Sequence, residues 1–577
     1  MPYKSRWNVP IPDCSLTTFL FGSSANLPHD PTSPNKMCFA EAERPDTHYF
    51  TRADFQLWSQ RFGLGLTKSG LFKPGDRLLL FSPNDLFVPV VFMGTLMAGG
   101  IYTGANPTFT PRELAHQLKD CSASILICHH DSIATGVEAA KQANLSLDRV
   151  FVFNNEIYDN KGNPSHGARY WSTLMAPKSD EARKFAWPDL SGPNEAKTTT
   201  LALNYSSGTT GVPKGVEITH RNYVSNTLQS AQITENHPNY AEKRKHHVSL
   251  GYLPLYHAYG QNVLIAGNFN HEKPTYVMAK FDFLKMLEYI PKYKVTDLNL
   301  VPPMAVALAK HPDVLKYDLR SVELIGCGAA PLGRDVAAQV EARFNSQRED
   351  EPDRKVNLRQ GWGMTECTCS LLGWDINKFA DSAAVGEPNA NCEAMIVDEE
   401  TSKEITARGP DNRGELWCRA PNVMKGYWHN KKATEETLTA DGWLKTGDIA
   451  YVDEAGMFHI VDRRKELIKV KGNQVAPAEL EALLLEHPAI ADVAVIGMPT
   501  PDGDEAPRAF VVRQPTEAGK KVTQEEVVKF VEGKVVHYKR LKGGVTWLDV
   551  VPKNPSGKIL RRELRDRYKV GKEGARL

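Results

Sequence analysis

The stretch TTTLALNYSSGTTGVPKG, residues 198–215, decides how the rest of the chain is read. Its first half is a short apolar run bounded by turn residues, which predicts a buried strand. Its second half is Tyr205-Ser206-Ser207-Gly208-Thr209-Thr210-Gly211-Val212-Pro213-Lys214-Gly215. Small hydroxyl and glycine residues let backbone N–H groups approach phosphate oxygens, and Lys214 adds a positive charge. This is not a Walker A loop, because Lys214 precedes Gly215 and no Gly-Lys-Ser/Thr stands at the required spacing. A Ser/Thr/Gly run also suits an exposed flexible loop, so its meaning depends on what surrounds it.

Outward from it, apolar runs bounded by turn residues recur: RLLLFS (77–82), ASILICHH (123–130), HVSLGYLPL (247–255), VTDLNLVPP (295–303) and SVELIGCG (321–328). Helical patterns such as RELAHQLKD (112–120) and DVAAQVEARF (335–344) lie between them. Strand–helix alternation predicts a mainly parallel α/β architecture. The uncharged run 86–111 contains prolines and glycines and turns polar, so it predicts a buried helix followed by a core strand rather than a membrane span. Near residue 414 the texture changes to closely spaced β-like runs, GELWCRA, GMFHIVDRR and ELIKVKG, which predict hairpins. A compact α+β stretch follows: helix PAELEALLLEHP, strands IADVAVIGMP and RAFVVRQP, helix QEEVVKFVEGKV. The fold expected is α/β, with a large multi-subdomain N-terminal domain over 1–464 that carries mainly parallel sheets and a distorted β-barrel-like part. A small mobile α+β domain over 465–577 follows the polar run Asp462-Arg463-Arg464-Lys465. The basic residues of 553–577 are read mostly as a solvated helix face.

Composition narrows the function. Lys plus Arg (70) nearly cancels Asp plus Glu (69) over 577 residues, so the electrostatic footprint of a dedicated nucleic-acid binder is missing. At 41% hydrophobic and 24% charged, the chain is neither disordered nor coiled-coil. Nine cysteines without a CxxC pair point to a reducing compartment, and Cys367 and Cys369 are too isolated to argue zinc. The N-terminal stretch lacks a sustained apolar run, so no secretory signal is expected.

Further segments give the 198–215 stretch its meaning. In order they are Leu253-Pro254-Leu255-Tyr256-His257, the run Gln360 to Glu366, Gly414-Glu415-Leu416, the run Gly442 to Asp448, Asp462-Arg463-Arg464-Lys465 and Pro555-Ser556-Gly557-Lys558. With these the sequence resembles the adenylate-forming superfamily of acyl-CoA synthetases, 4-coumarate-CoA ligases, luciferases and peptide-synthetase adenylation domains, over roughly residues 50 to 565. LIKVKGNQVAPAELEALLLEHP and VPKNPSGKILRREL look most like the 4-coumarate-CoA-ligase branch.

The resemblance implies ATP, Mg²⁺ and coenzyme A as reactants and cofactors, a small carboxylic acid as substrate, and no nucleic-acid partner or membrane span. Joining a carboxylate to ATP brings anions together, so cations and oriented donors are needed around the α-phosphate. By resemblance Ser206, Ser207, Gly208, Thr209, Thr210, Gly211 and Lys214 cradle the departing phosphates, Thr365 bonds the α-phosphate and Glu366 holds Mg²⁺. Gly328, Ala329 and Ala330 leave room for adenine beside Gln360, Gly361, Trp362, Gly363 and Met364, with Trp362 stacking nearby. Asp448 takes the ribose hydroxyls with help from Arg463. Lys558 reaches the carboxylate and α-phosphate during adenylation, and Lys465 matches the hinge. Lys469, Gly472 and Gln474 form the face that replaces Lys558 before thiol attack. His257 gates an acyl pocket walled by Tyr259, Gly326, Cys367, Cys369 and Ser370. Coumarate ligases usually have a small apolar pair where Cys369 and Ser370 stand, which argues against coumarate itself.

The resulting expectation is an ATP-dependent acid:CoA ligase for an aryl, cinnamoyl-like or medium-chain fatty acid. Loading of a carrier protein, a luciferase-like oxygenase and a non-catalytic nucleotide-binding scaffold remain as alternatives. Ala575-Arg576-Leu577 resembles the Ser-Lys-Leu address read by the peroxisomal import receptor, so peroxisomal residence is expected in preference to cytosol.

Overall fold

A computed structural model describes residues 2–206, 213–350, 354–471, 473–500, 504–554 and 557–569. The segments read as strands form two large sheets. One runs Gly426–Tyr427, Lys214–Thr219, Thr200–Ser206, Ile101–Ala105, Arg77–Phe81, Ile125–His129, Val150–Phe153 and Arg169–Tyr170. It is parallel from Thr200–Ser206 outward to Arg169–Tyr170. The other runs Leu358–Gln360, Leu324–Cys327, Asp297–Leu300, Ser249–Gly251, Thr275–Val277, Met37–Glu41 and Tyr49–Thr51, and only its last pair is antiparallel. Parallel strands need helical crossovers, and the sequence supplies helices with strong start signals. Thr51 with Asp54, Thr110 with Glu113 and Thr219 with Asn222 form reciprocal capping boxes on helices Arg52–Lys68, Pro111–Asp120 and His220–Glu235.

The uncharged run resolves as read. Val88–Met97 is a ten-residue helix buried all round, and Ile101–Ala105 is a strand buried at every position. Among the described residues no helix is long and apolar enough to cross a membrane.

The 198–215 stretch departs from a strand-to-helix phosphate loop. Its strand Thr200–Ser206 turns back through an antiparallel hairpin, with Lys214 opposite Ser206. Both residues therefore stand at one mouth of the larger sheet.

GELWCRA and GMFHIVDRR belong to a third, wholly antiparallel sheet that provides the barrel-like part, whereas ELIKVKG forms a separate hairpin, Ile468–Val470 with Asn473–Val475, in the small unit. The strands of the third sheet are Glu393–Val397, Gly414–Arg419, Leu444–Val452 and Phe458–Arg463, with Tyr3–Lys4 and the short Glu404–Ile405 both paired to Glu393–Val397. The chain leaves this sheet at Arg463 and then builds a separate core from Ile468, Val475, Leu480, Val493, Val511 and their neighbours. Helix Pro477–Leu485 packs there on strands Ile490–Pro499, Glu505–Arg513 and Val545–Trp547.

Two large-unit side chains, Asp462 and Lys310, tie the small unit to the large one. Asp462 accepts from the Ala478 N–H at 2.9 Å, at the first turn of helix Pro477–Leu485. Lys310 donates to the Leu485 and Ile490 carbonyls at 2.7 Å each.

Composition suggested a mostly solvated basic C-terminal face, but two arginines of its helix are engaged inside the small unit. Arg561, at the start of helix Arg561–Lys569, holds both carboxylate oxygens of buried Glu481 at 2.8 and 2.7 Å. Arg565 reaches Glu466 at 2.5 Å. The apolar stripe of that helix docks on the small unit through Leu564, and this draws Arg561 and Arg565 inward while Arg562 and Arg567 stay exposed.

Candidate active site

A cavity of about 1310 Å³ opens where the two parallel sheets, the barrel-like sheet and the small unit meet. That exceeds the usual range for one small ligand, about 300–1,000 Å³, and suits two substrates bound side by side.

At the hairpin mouth, Glu366 is buried and accepts from two hydroxyls through the same oxygen. Ser206 donates to Oε1 at 3.2 Å and Tyr427 donates to Oε1 at 2.9 Å. The Lys214 ammonium lies 4.5 Å from the centre of the Tyr427 ring, a cation–π contact with the residue that bonds this carboxylate. Glu366 follows Thr365 in the 3₁₀ turn Thr365–Cys367. The backbone entering that turn passes close to Cys369: a Cβ on Gly363 would fall 1.7 Å from the Cys369 carbonyl oxygen. Only glycine fits there.

On the barrel side, Asp448 and Arg463 are cross-strand neighbours, with Nε 3.4 Å from Oδ1. The Trp362 indole N–H donates to the other oxygen of Asp448 at 2.8 Å. Burial pushes the Asp448 carboxyl upward, against the pull of Arg463, Trp362 and Lys558. Lys558 enters from the small unit on a turn closed by Asn554, whose side chain accepts from the Lys558 N–H at 2.8 Å. Gly557 makes this approach possible. Its φ of +82° is in the left-handed region, and a Cβ would lie 3.1 Å from Val301 of the large unit. Burial pushes the Lys558 ammonium down to about 8; Arg463 adds to this, while Asp448, Glu466 and Glu366 oppose it. His257 is neutral for the same reason, pushed down to about 4 by burial and by the Lys558 charge. Its Nδ1 accepts from the Tyr259 N–H at 3.2 Å.

Most residues singled out in the sequence share this cavity. Ser206, Lys214, His257, Tyr259, Gly326, Gly328, Ala329, Gln360, Gly361, Trp362, Gly363, Met364, Thr365, Glu366, Cys369, Ser370, Arg463, Lys465 and Lys558 all line it, and Asp448 lies directly behind Trp362 and Arg463. Gln360 commits its amide to the Leu332 backbone, donating and accepting at 2.9 Å, so the cavity meets its backbone. Ser370 is likewise held in place, its hydroxyl accepting from Asn389 at 3.1 Å.

Four residues lie elsewhere. Cys367 is not a cavity wall: the 3₁₀ turn carries it inward, fully buried beside Cys418. Ala330 lies past the rim, one residue beyond Ala329, whose φ of +73° turns the chain away. Lys469 and Gln474 face each other on the hairpin Ile468–Val470/Asn473–Val475, exposed and outside the cavity that Lys558 enters. Ser207, Gly208, Thr209, Thr210, Gly211, Gly472, Ala575, Arg576 and Leu577 lie outside the described residues.

Tyr427 was not legible in the sequence. It sits on a two-residue edge strand paired with Lys214–Thr219, and no local pattern marks such a strand.

Similarity to known proteins agrees with this geometry. A family profile described as AMP-binding enzyme matches residues 30–428, and one described as AMP-binding enzyme C-terminal domain matches 479–558. The chain is 39% identical over 532 residues to 4-coumarate–CoA ligase 2 of Nicotiana tabacum, covering 90% of each sequence. It is 37% identical over 573 residues to 4-coumarate–CoA ligase of Pinus taeda, covering 98% of this chain and 97% of that one. Among solved structures, ATP-bound MatB from Rhodopseudomonas palustris superposes with a TM-score of 0.76 at 26% identity, covering 96% of this chain and 99% of the other. An anthranilate CoA ligase, AuaEII, in complex with anthranoyl-AMP shares the fold with a TM-score of 0.80 at 22% identity, covering 97% of this chain and 98% of that one. With profiles matched in both units and relatives aligned along nearly its whole length, the chain belongs to the AMP-binding, adenylate-forming enzyme family.

Proposed function

We infer that the chain is an acid–thiol ligase that adenylates a carboxylic acid with ATP and transfers the acyl group to coenzyme A, releasing AMP and pyrophosphate. The observation that carries this reading is Lys558, a buried ammonium brought by the small unit into the cavity that also holds Glu366 and Thr365. In the first half-reaction a carboxylate oxygen attacks the α-phosphorus and the bond to the bridging oxygen breaks, sending the electron pair out with pyrophosphate. Lys558 opposes the two anions as they meet, and Thr365 donates to an α-phosphate oxygen. Lys214 faces the leaving phosphates, and Asp448 accepts from the ribose hydroxyls. In the second half-reaction the thiol sulfur attacks the acyl carbon and AMP leaves. Lys469 and Gln474 stand on the face that turns in for this step.

Magnesium fits the donor set at Glu366. Both hydroxyl donors bond Oε1, leaving Oε2 as a hard oxygen ligand beside the phosphate-facing Lys214. When bound there, the ion neutralises phosphate charge.

The reaction is tested by supplying ATP, Mg²⁺ and a panel of aryl, cinnamoyl-like and medium-chain acids, with and without CoA. Pyrophosphate should appear with the right acid, and CoA should become acylated. Acyl transfer to a carrier-protein pantetheine but never to free CoA would overturn the ligase reading. Peroxisomal residence through Ala575, Arg576 and Leu577 is a separate proposal resting on sequence alone. A fluorescent protein ending in residues 572–577 should become punctate and colocalise with peroxisomes; diffuse signal from both it and the full chain would remove the peroxisome.

A further inference from the structure

The cavity does not end at the acid's carboxylate. Below Gly328 it continues between two walls of different make. On the sheet side, Asp297 is level with Leu324 and Asn299 with Gly326. Descending from Gly328 to Leu324 covers about 13 Å at ~3.3 Å per residue. On the other side the cavity meets Tyr259, Val263, Gly267 and His271, each four residues from the last. The segment Gly260–Gly267 among them is π-helical, a wide-turned form that is rare and frequent at functional sites. This wall extends up to about 18 Å at 1.5 Å per residue. Two independent walls thus give a channel far longer than a carboxylate and one ring. An extended chain advances about 1.25 Å per C–C bond of ~1.5 Å, so 13 Å takes about ten bonds.

The floor of the channel is polar. Lys273 pairs with Asp297 at 2.8 Å, with side-chain exposures of 11% and 7%. Only one Asp297 oxygen is used: Oδ2 takes Lys273 and the Thr296 hydroxyl, while buried Oδ1 has no partner among the described residues. His247 Nε2, behind the lining, is buried near it and likewise has no partner among the described residues. Unpaired buried polar atoms are costly, and one on the cavity-lining Asp297 marks a place completed by something bound. Tyr240 bonds His271 Nδ1, and with the phenol donating, the ring proton sits on Nε2. The charges of Lys273 and Asp297 cancel. Burial holds His271 neutral, pushed down to about 3, and also lowers His247. A neutral floor offers neither net positive charge for a second carboxylate nor net negative charge for an ammonium. A hydroxyl suits it, because it can donate to Asp297 Oδ1 while accepting from His271.

Resting on the acid-ligase reading, we propose that the substrate is an elongated acid of about ten chain atoms that ends in a hydroxyl group, bound with that hydroxyl at the Asp297–His271 floor. The test uses 10-hydroxydecanoic acid and decanoic acid, with the six-carbon pair as short controls. Calorimetric binding to the full chain and pyrophosphate release are both measured. The long hydroxy acid should be preferred over its deoxy partner by at least tenfold in both measurements, as expected where a site's polar groups are left unpaired by the analogue. The short pair should differ by less than threefold. Gly326→Leu fills open space, since a Cβ there meets only Asn299 Oδ1 at 3.9 Å. It should lower the ten-to-six-carbon kcat/KM ratio at least tenfold. The double variant Lys273→Met/Asp297→Leu replaces the ion pair with apolar groups and should erase the hydroxyl preference. Equal binding of the long pair, or a ten-to-six-carbon ratio unmoved by Gly326→Leu, would overturn the inference. Preferential binding of the long hydroxy acid with no CoA acylation would instead sink the ligase reading and leave the channel standing.

Discussion

Replacing Lys558 with alanine lowers the rate of adenylate formation by about two to three decades while largely sparing conversion of a supplied acyl-adenylate and CoA to thioester. The size follows from charge. Two unit charges 4 Å apart in a site of effective dielectric 20 interact by about 4 kcal/mol, and about 2.7–4 kcal/mol corresponds to two to three decades. The asymmetry follows from position: Lys558 lies inside the cavity, whereas Lys469 lies exposed on the hairpin outside it. Lys469→Ala should therefore damage thioester formation more than adenylation. Single-turnover measurement of each half-reaction decides the matter, and equal damage to both halves in both variants would refute alternation of the two faces. A pH dependence accompanies the same residue. Because burial pushes Lys558 down to about 8, the free protein loses this charge as pH rises through that value. The kcat/KM for adenylation should fall on the alkaline side with an apparent pKa near 8. In kcat the limb should lie higher, because bound phosphates favour the ammonium. Lys558→Arg, which cannot deprotonate in this range, should remove the limb even where its longer reach costs rate.

What the sequence made legible, and what it hid, divides along a physical line. Strands such as Arg77–Phe81 and Ile125–His129 are short, apolar and bounded by turn residues, so local pattern suffices for them. The segments holding Thr365, Glu366, Asp448 and Lys558 are ordered motifs, and the fold brings them to one cavity. Side-chain direction inside an irregular turn is another matter. Cys367 and Cys369 differ by two residues, yet one packs beside Cys418 and the other lines the cavity, because Thr368 between them has a φ of +64° that no periodicity announces. Pairings across long separations are equally silent. Nothing near Asp297 marks Lys273 as its partner, and nothing near Glu366 marks Tyr427. The role of Arg561 is hidden for a related reason: a basic residue in a basic run looks solvated until the fold places Glu481 opposite it.

That buried pair carries the second large effect. Arg561→Met should destabilise the small unit by about 3–5 kcal/mol, the usual result of leaving one charge of a buried pair alone. Glu481 is held on three sides: both oxygens take Arg561 at 2.8 and 2.7 Å, and Oε1 also accepts from the Val495 N–H at 2.8 Å. Burial already pushes its carboxyl upward, with Arg561 the main opposing influence. Without the arginine it rises further, so the folded variant binds a proton that the unfolded chain releases above about pH 4.3. The folded state then holds more protons than the unfolded one, and stability falls as pH rises through that window. The destabilisation should consequently be larger at pH 8 than at pH 5, opposite to the response of a salt-bridged carboxylate whose pKa is depressed. Hydrogen exchange along Ile490–Pro499, the strand whose Val495 bonds both partners, reads this directly. Its slowest amides should exchange at least a hundredfold faster in Arg561→Met, and Arg561→Met/Glu481→Leu should recover most of the protection. Adenylation should fall with the single variant and return in part with the double, because Arg561 opens the helix that immediately follows the Lys558 turn. Unchanged exchange in the single variant would show that the pair holds nothing together. Lost exchange protection with intact adenylation would show that the Lys558 turn is positioned from the large unit, through Gly557 against Val301, rather than through Arg561.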